Sequence, residues 1–273
     1  MQTKIISAFS VCLTSCLISA CVGTPNPSLP GDAVWDESSC RMIDADGASV
    51  GLGNLAVETL QLSDSTTLYY PTNIATSQCQ FNVIGWGNGT TGFGGDAYPD
   101  LHEHWASYGF VIAVAHTNMA LNNDAVLQSV EEAFAAADDP ANFLHNKLKS
   151  EIGLAGKSQG GIAATAAEAD ARVTAIVAIS GAKPVTDKPT MFLSGTEDFA
   201  YQNVANAYSA SSAASVFAVA DGVSHMAIVD HWGVRELATS WLRCYLQNYQ
   251  DACTFTTSSD LQTEAWAEFD VSE

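Results

Sequence analysis

The sequence predicts an α/β fold, a mostly parallel central sheet with helices on both faces. Three observations predict it. Six short apolar runs, at 81–86, 110–115, 152–155, 173–179, 191–193 and 216–220, are continuous rather than alternating, which strands buried on both faces require. Stretches of helical periodicity lie between these runs. The chain has 273 residues, of which 47% are hydrophobic, and neither an internal repeat nor a second block of composition breaks it up. That suits one large domain, expected over 36–273, with room for a sizeable core.

In chain order, 57–62 and 66–70 alternate apolar and polar residues, as expected of antiparallel strands at a sheet edge. The run at 81–86 opens the parallel core. A helix is expected over 99–107 and another over 123–137, where Val126, Val130 and Phe134 recur at spacing four on one face. Further helices are expected at 160–169, 201–212 and 234–247.

The first twenty residues read as a targeting segment: Lys4, then an apolar stretch short for a membrane span, ending in Ile18-Ser19-Ala20-Cys21. That shape resembles a bacterial lipoprotein signal, with Cys21 the lipidated residue and 21–35, rich in Pro, Gly and Ser, a flexible tether. The expected location is the bacterial cell envelope, or the medium if cleavage occurs without lipidation. Four cysteines remain beyond Cys21, an even number in an exported chain, and proximity pairs Cys40 with Cys79 and Cys244 with Cys253. No cysteine or histidine spacing suggests a metal site, and none is expected.

Charge narrows the partners. Ten Lys and Arg against 30 Asp and Glu give a net charge of −20, which argues against nucleic acid and anionic membrane surfaces. Membrane contact is expected only through the N-terminal lipid. Anionic esters are expected to be disfavoured, less so as salt rises.

The chemistry centres on Gly156-Lys157-Ser158-Gln159-Gly160. It lies between a predicted strand and a predicted helix, the context in which G-x-S-x-G places a serine on a sharp, strained turn. Neighbours two positions away must then be small, and both are glycine. A serine hydroxyl needs a base and an orienting acid, and on such a turn the acid follows in the chain and the histidine comes last. Asp198 is the expected acid, in "SGTEDF" after the run at 191–193, with Glu197 left open. His225 in "GVSHM" is the expected base, with His231 as the fallback. The oxyanion donors are expected to be the amides of Gln159 and of Thr90, the latter in the glycine-dense loop after 81–86. Trp86, Phe93 and Tyr98 are expected to wall an apolar substrate cleft. His102 and His104 stand two apart on a helix, too divergent to share a metal.

Together these residues resemble the α/β-hydrolase superfamily, in particular its dienelactone-hydrolase-like, platelet-activating-factor-acetylhydrolase-like and cutinase-type members. The resemblance covers 81–246 and rests on "WGNGT", "HWASYGFVIAVAHT", "GKSQGG", "SGTEDF" and "GVSHM" in that order. It implies an α/β-hydrolase fold and cofactor-independent carboxylic ester hydrolysis through an acyl-enzyme on Ser158, Asp198 and His225. Short- to medium-chain or cutin- and polyester-like esters are the implied substrates, and a monomer is expected. A peptidase or acyltransferase on the same triad, or a non-catalytic envelope binding protein, are the alternatives. Lys157 departs from the family, which usually has histidine there. The segment "SGAKPVTDKPT" is short, which leaves no room for a helical lid, and it lacks the aromatic that polyester-cleaving members use.

Overall fold

The structure, a computed structural model, describes residues 34–43, 53–90, 96–117, 124–258 and 266–272. The expected signal, the lipidation site Cys21, most of the tether and Phe93 lie outside the described residues.

Nine strands form one sheet: β3 (Val57–Gln61), β4 (Thr66–Pro71), β5 (Phe81–Gly87), β6 (Phe110–Ala115), β7 (Leu148–Lys157), β8 (Val173–Ile179), β9 (Thr190–Glu197), β10 (Ser215–Ser224) and β11 (Trp266–Ser272). A separate two-stranded ribbon pairs β1 (Val34–Asp36) with β2 (Arg41–Ile43). The sheet order is β11-β10-β9-β8-β7-β5-β6-β4-β3. The six strands from β10 to β6 are parallel, while β4, β3 and β11 join antiparallel at the two edges. The six apolar runs are the parallel strands, as the sequence predicts.

The helices are α1 (Pro99–Ser107), α2 (Asp124–Asp138), α3 (Gln159–Ala166), α4 (Tyr201–Ser209), α5 (Trp232–Gln247) and α6 (Gln250–Thr257). They divide cleanly between the faces. Leu101 and Trp105 of α1 and Val234, Leu237 and Trp241 of α5 share one core cluster with Ile84 and Trp86. Val126 and Val130 of α2, Ala163 of α3 and Val204 of α4 share the other with Phe81 and Val83. Residues of one strand thus feed alternate faces, and both faces are dry, so neither can be polar. The alternation corrects one expectation. It turns Trp86 into the α1/α5 core, fully buried, so it walls no cleft.

Helix ends follow local chemistry. Pro99 sits at the first turn of α1, where its missing N–H costs nothing. Asn248 ends α5 in the left-handed conformation at φ 52°. The helix expected over 201–212 stops at Ser209. Ser211 Oγ there donates to the Ala207 carbonyl (2.8 Å) and accepts from the Val185 amide (2.9 Å), giving the backbone an alternative to helix.

The expected disulfides, Cys40–Cys79 and Cys244–Cys253, are both formed. The first ties the β1–β2 ribbon to the segment entering β5, and the second ties α5 to α6. They close loops of 39 and 9 residues. Replacing both cysteines of the longer bridge by serine is expected to cost about 4 kcal/mol, and of the shorter about 2.5 kcal/mol. Urea midpoints of the two variants check the order. Equal losses would show that loop closure does not govern the stabilisation.

Candidate active site

The chain runs β5, β6 to one side and returns to β7 on the other, so the sheet order switches between β5 and β7. At such a switch point the connections leave in opposite directions and open a crevice at the carboxyl ends of the strands. Ser158 follows β7 and Asn88-Gly89-Thr90 follows β5, so both border the crevice.

Ser158 caps α3 at φ 58° and ψ −118°, a region costly for a residue with a side chain. Surrounding contacts hold it there. Its amide donates to the Ile179 carbonyl of β8 (2.7 Å), and its carbonyl accepts from the Ile162 amide (3.1 Å). The turn is closed by glycines. A Cβ on Gly160 would overlap the Gly87 carbonyl oxygen, and one on Gly156 would overlap the backbone of Gly160. Gly89 approaches Ser158 so closely that a Cβ there would lie 2.9 Å from the serine Cβ. This brings the loop bearing Thr90 against the serine. Thr90 is exposed, and Gln159 is the first residue of α3.

Parallel register brings the other two residues together. β9 and β10 pair with Glu197 opposite Ser224, after a register shift between Ala220 and Ser224. The next residues, Asp198 and His225, therefore stand side by side. His225 Nδ1 donates to Asp198 Oδ1 at 2.7 Å, with both side chains almost wholly buried. Of the two adjacent acids, Asp198 is the one paired with His225, while Glu197 is exposed. His231 is not the partner. Its ring stacks on Trp232 and burial pulls its pKa down.

Burial alone would raise the Asp198 pKa. The hydrogen bonds from His225, Ser180 and the Ala200 amide (2.8 Å) outweigh it and hold the carboxyl below its usual value. Ser194 Oγ adds a longer bond at 3.3 Å. Ser180 was not legible as part of the site. It follows β8 at φ 56°, is buried, and aims Oγ at Asp198 Oδ2. Its only sequence signal is a serine ending the strand between the serine and acid strands.

Among the described residues no hydrogen bond joins Ser158 Oγ to His225. The link between their loops runs through their neighbours: Lys157 Nζ lies 3.9 Å from Met226 Sδ. Such catalytic hydrogen bonds are commonly open before substrate binds. Phe199, which sequence reasoning missed, stacks on His225 with centroids 4.0 Å apart, although it is 82% exposed. Met226 is 72% exposed beside it.

The predicted cleft wall is only partly where it was expected. Tyr98 is half-buried, and its ring lies 5.9 Å beneath the Lys157 ammonium. Trp86 instead donates Nε1 to Asn88 Oδ1 (2.9 Å) and packs on Tyr98, His102 and Trp105, fixing the base of the loop that leads to Thr90. His102 faces Asp96 (2.9 Å) and His104 hydrogen-bonds with Thr239 (2.9 Å), so the two diverge. Among the described residues no three His, Cys, Asp or Glu side chains gather into a metal-binding group. No protein-family model matches the chain, and neither does any curated protein. A functional reading therefore rests on the site itself.

Replacing Ser180 with alanine removes a donor to an ionised acceptor and is expected to cost about 2 kcal/mol at pH 7. A depressed Asp198 pKa stabilises the fold above the unfolded carboxylate value, and that share is lost as pH falls through the folded one. The gap in urea midpoint between wild type and Ser180→Ala should narrow as pH falls from 7 through the carboxylate range. A gap of constant size would show that the hydroxyl does not serve ionised Asp198.

Proposed function

We propose that the protein is a serine hydrolase of carboxylic esters with an α/β-hydrolase fold. One observation carries the reading: a histidine bound to a buried, ionised aspartate stands at the carboxyl ends of the parallel strands, as does a serine held in a strained turn between strand and helix. Strain of this kind gathers at functional sites, and a sharp turn from strand to helix is where a nucleophilic serine is presented.

In this mechanism Ser158 Oγ attacks the ester carbonyl carbon and His225 Nε2 takes its proton. Asp198 keeps the proton on Nδ1, which leaves Nε2 as the base, and stabilises the imidazolium. The oxyanion accepts from the backbone amides of Gln159 and Thr90, placed by α3 and by the approach of Gly89. The alcohol departs with the proton from Nε2. Water then attacks the acyl-enzyme by the same route in reverse, releasing the acid and restoring Ser158. Every proton is accounted for within the triad, so the reaction as written calls on no cofactor.

Residues 181–189, between β8 and β9, contain no helix. The cleft is accordingly read as open and lidless, suited to short- and medium-chain esters or to an ester on a polymer. Two disulfides fit an exported protein. We place it in the cell envelope, held by lipid on Cys21.

Hydrolysis of p-nitrophenyl acetate tests the reading. Ser158→Ala is expected to lower kcat by about 10⁶-fold, and Asp198→Asn by about 10⁴-fold by upsetting the histidine tautomer. Retention of full activity by Ser158→Ala would overturn the assignment.

A further inference from the structure

Two cationic side chains are buried among the described residues, Lys157 and Arg243. Arg243 has an oxygen acceptor: Nη2 donates to the Met42 carbonyl (2.6 Å), and the guanidinium lies over the Tyr249 and Tyr108 rings. Lys157 differs. It is 3% exposed, and among the described residues no oxygen accepts from its ammonium. Among those residues Nζ meets the Met226 thioether at 3.9 Å and the Tyr98 ring face at 5.9 Å. A thioether is a weak acceptor, and a ring face replaces little of an ammonium's hydration. Burial pulls the Lys157 pKa down, and the charge of Asp198 opposes that pull. Asp198 itself is already engaged by His225, Ser180, Ser194 and the Ala200 amide. Burying a cation without an anionic partner is unfavourable unless something else supplies one.

The position of this unmatched charge says where that partner would come from. Lys157 immediately precedes Ser158, and its ammonium touches the residue immediately after His225. It therefore lies on the flank of the crevice between the base and the segment that enters α1. The apolar surface beside it, Phe199 and Met226, is the most exposed of the described large hydrophobic side chains. A ligand reaching from Ser158 to the ammonium would lay an apolar stretch against these residues and end in an anion.

We propose that Lys157 is a specificity-determining residue that receives a carboxylate carried by the ester substrate, so that half-esters of dicarboxylic acids are preferred over neutral esters of equal size. The inference rests on the ester-hydrolase reading of Ser158 and narrows its substrate class. The net charge of −20 works against such a ligand at long range, but salt weakens that repulsion over a Debye length of about 8 Å at physiological ionic strength, and a contact with a buried ammonium is screened far less. The two effects therefore separate at high salt. The competing account is that the lysine stem merely packs, with its charge idle. It predicts no discrimination between an anion and its neutral isostere.

The test compares methyl hydrogen adipate with methyl adipamate, its neutral amide isostere, by pH-stat at about 0.5 M NaCl, where surface repulsion is screened. The ratio of kcat/KM, anionic over neutral, is expected to fall about tenfold in Lys157→Met and to recover in Lys157→Arg, as loss and return of a charge-assisted hydrogen bond require. Wild type alone supplies a check that needs no variant to fold. Adipate should inhibit hydrolysis of the neutral ester about tenfold more tightly than adipamide. Hydrolysis of the neutral ester with no change of ratio in Lys157→Met, or equal inhibition by the two diacid derivatives, overturns the role of Lys157 and leaves the esterase reading standing. Failure of wild type to cleave either ester would remove both.

Discussion

The approach of Gly160 to the Gly87 carbonyl is the contact on which the site is built. α3 can start so close to β5 only because no side chain stands between them. That closeness turns the chain sharply after β7 and forces Ser158 to φ 58°. Because β5 and β7 are neighbours at the switch in sheet order, the same approach sets the loop after β5 against the serine. Strain of this kind costs on the order of 1–3 kcal/mol. It persists because β7, hydrogen-bonded on both sides in the middle of the sheet, and α3, packed by Ala163 and Ala164 into the core, leave the turn no other conformation.

A second constraint is electrostatic. The protein is strongly acidic, yet the charges that matter to the proposed chemistry lie inside it. Asp198 keeps its charge in a dry setting because four donors converge on two oxygens, and that charge in turn orients His225. Ser180, at a left-handed position of its own, repeats at the acid what the elbow does at the serine: backbone strain aims one hydroxyl. Lys157 completes the set as a buried positive charge that, among the described residues, has no oxygen to answer it. The site thus sets one fully satisfied charge near one that is not.

Much of this was legible in the sequence because local patterns decide it. Continuous apolar runs mark strands buried on both faces, and G-x-S-x-G between such a run and an alanine-rich stretch marks the turn. The order serine, acid, histidine followed from where the runs end. The two disulfides were legible from cysteine number and spacing. What escaped reading depends on contacts between distant segments. β11 is acidic, with Glu268 and Asp270 between its apolar residues, and becomes a strand only by pairing with β10. β1 and β2, three residues each, exist only as a ribbon. Trp86 was expected in the cleft wall, but pleat alternation, set by the sheet's register, turned it inward. Ser180 and Phe199 gain their places from the parallel pairing of β8, β9 and β10, which no single stretch encodes.

The central claim is that the turn after β7 presents a serine made nucleophilic by His225 and Asp198. Labelling the intact protein with a fluorophosphonate, followed by peptide mass mapping, tests it most directly, because the reagent demands the activated hydroxyl and not merely a bound ligand. The account predicts a single adduct on Ser158, formed by wild type and lost in His225→Ala. No adduct, an adduct at another residue, or labelling undiminished in His225→Ala would contradict it.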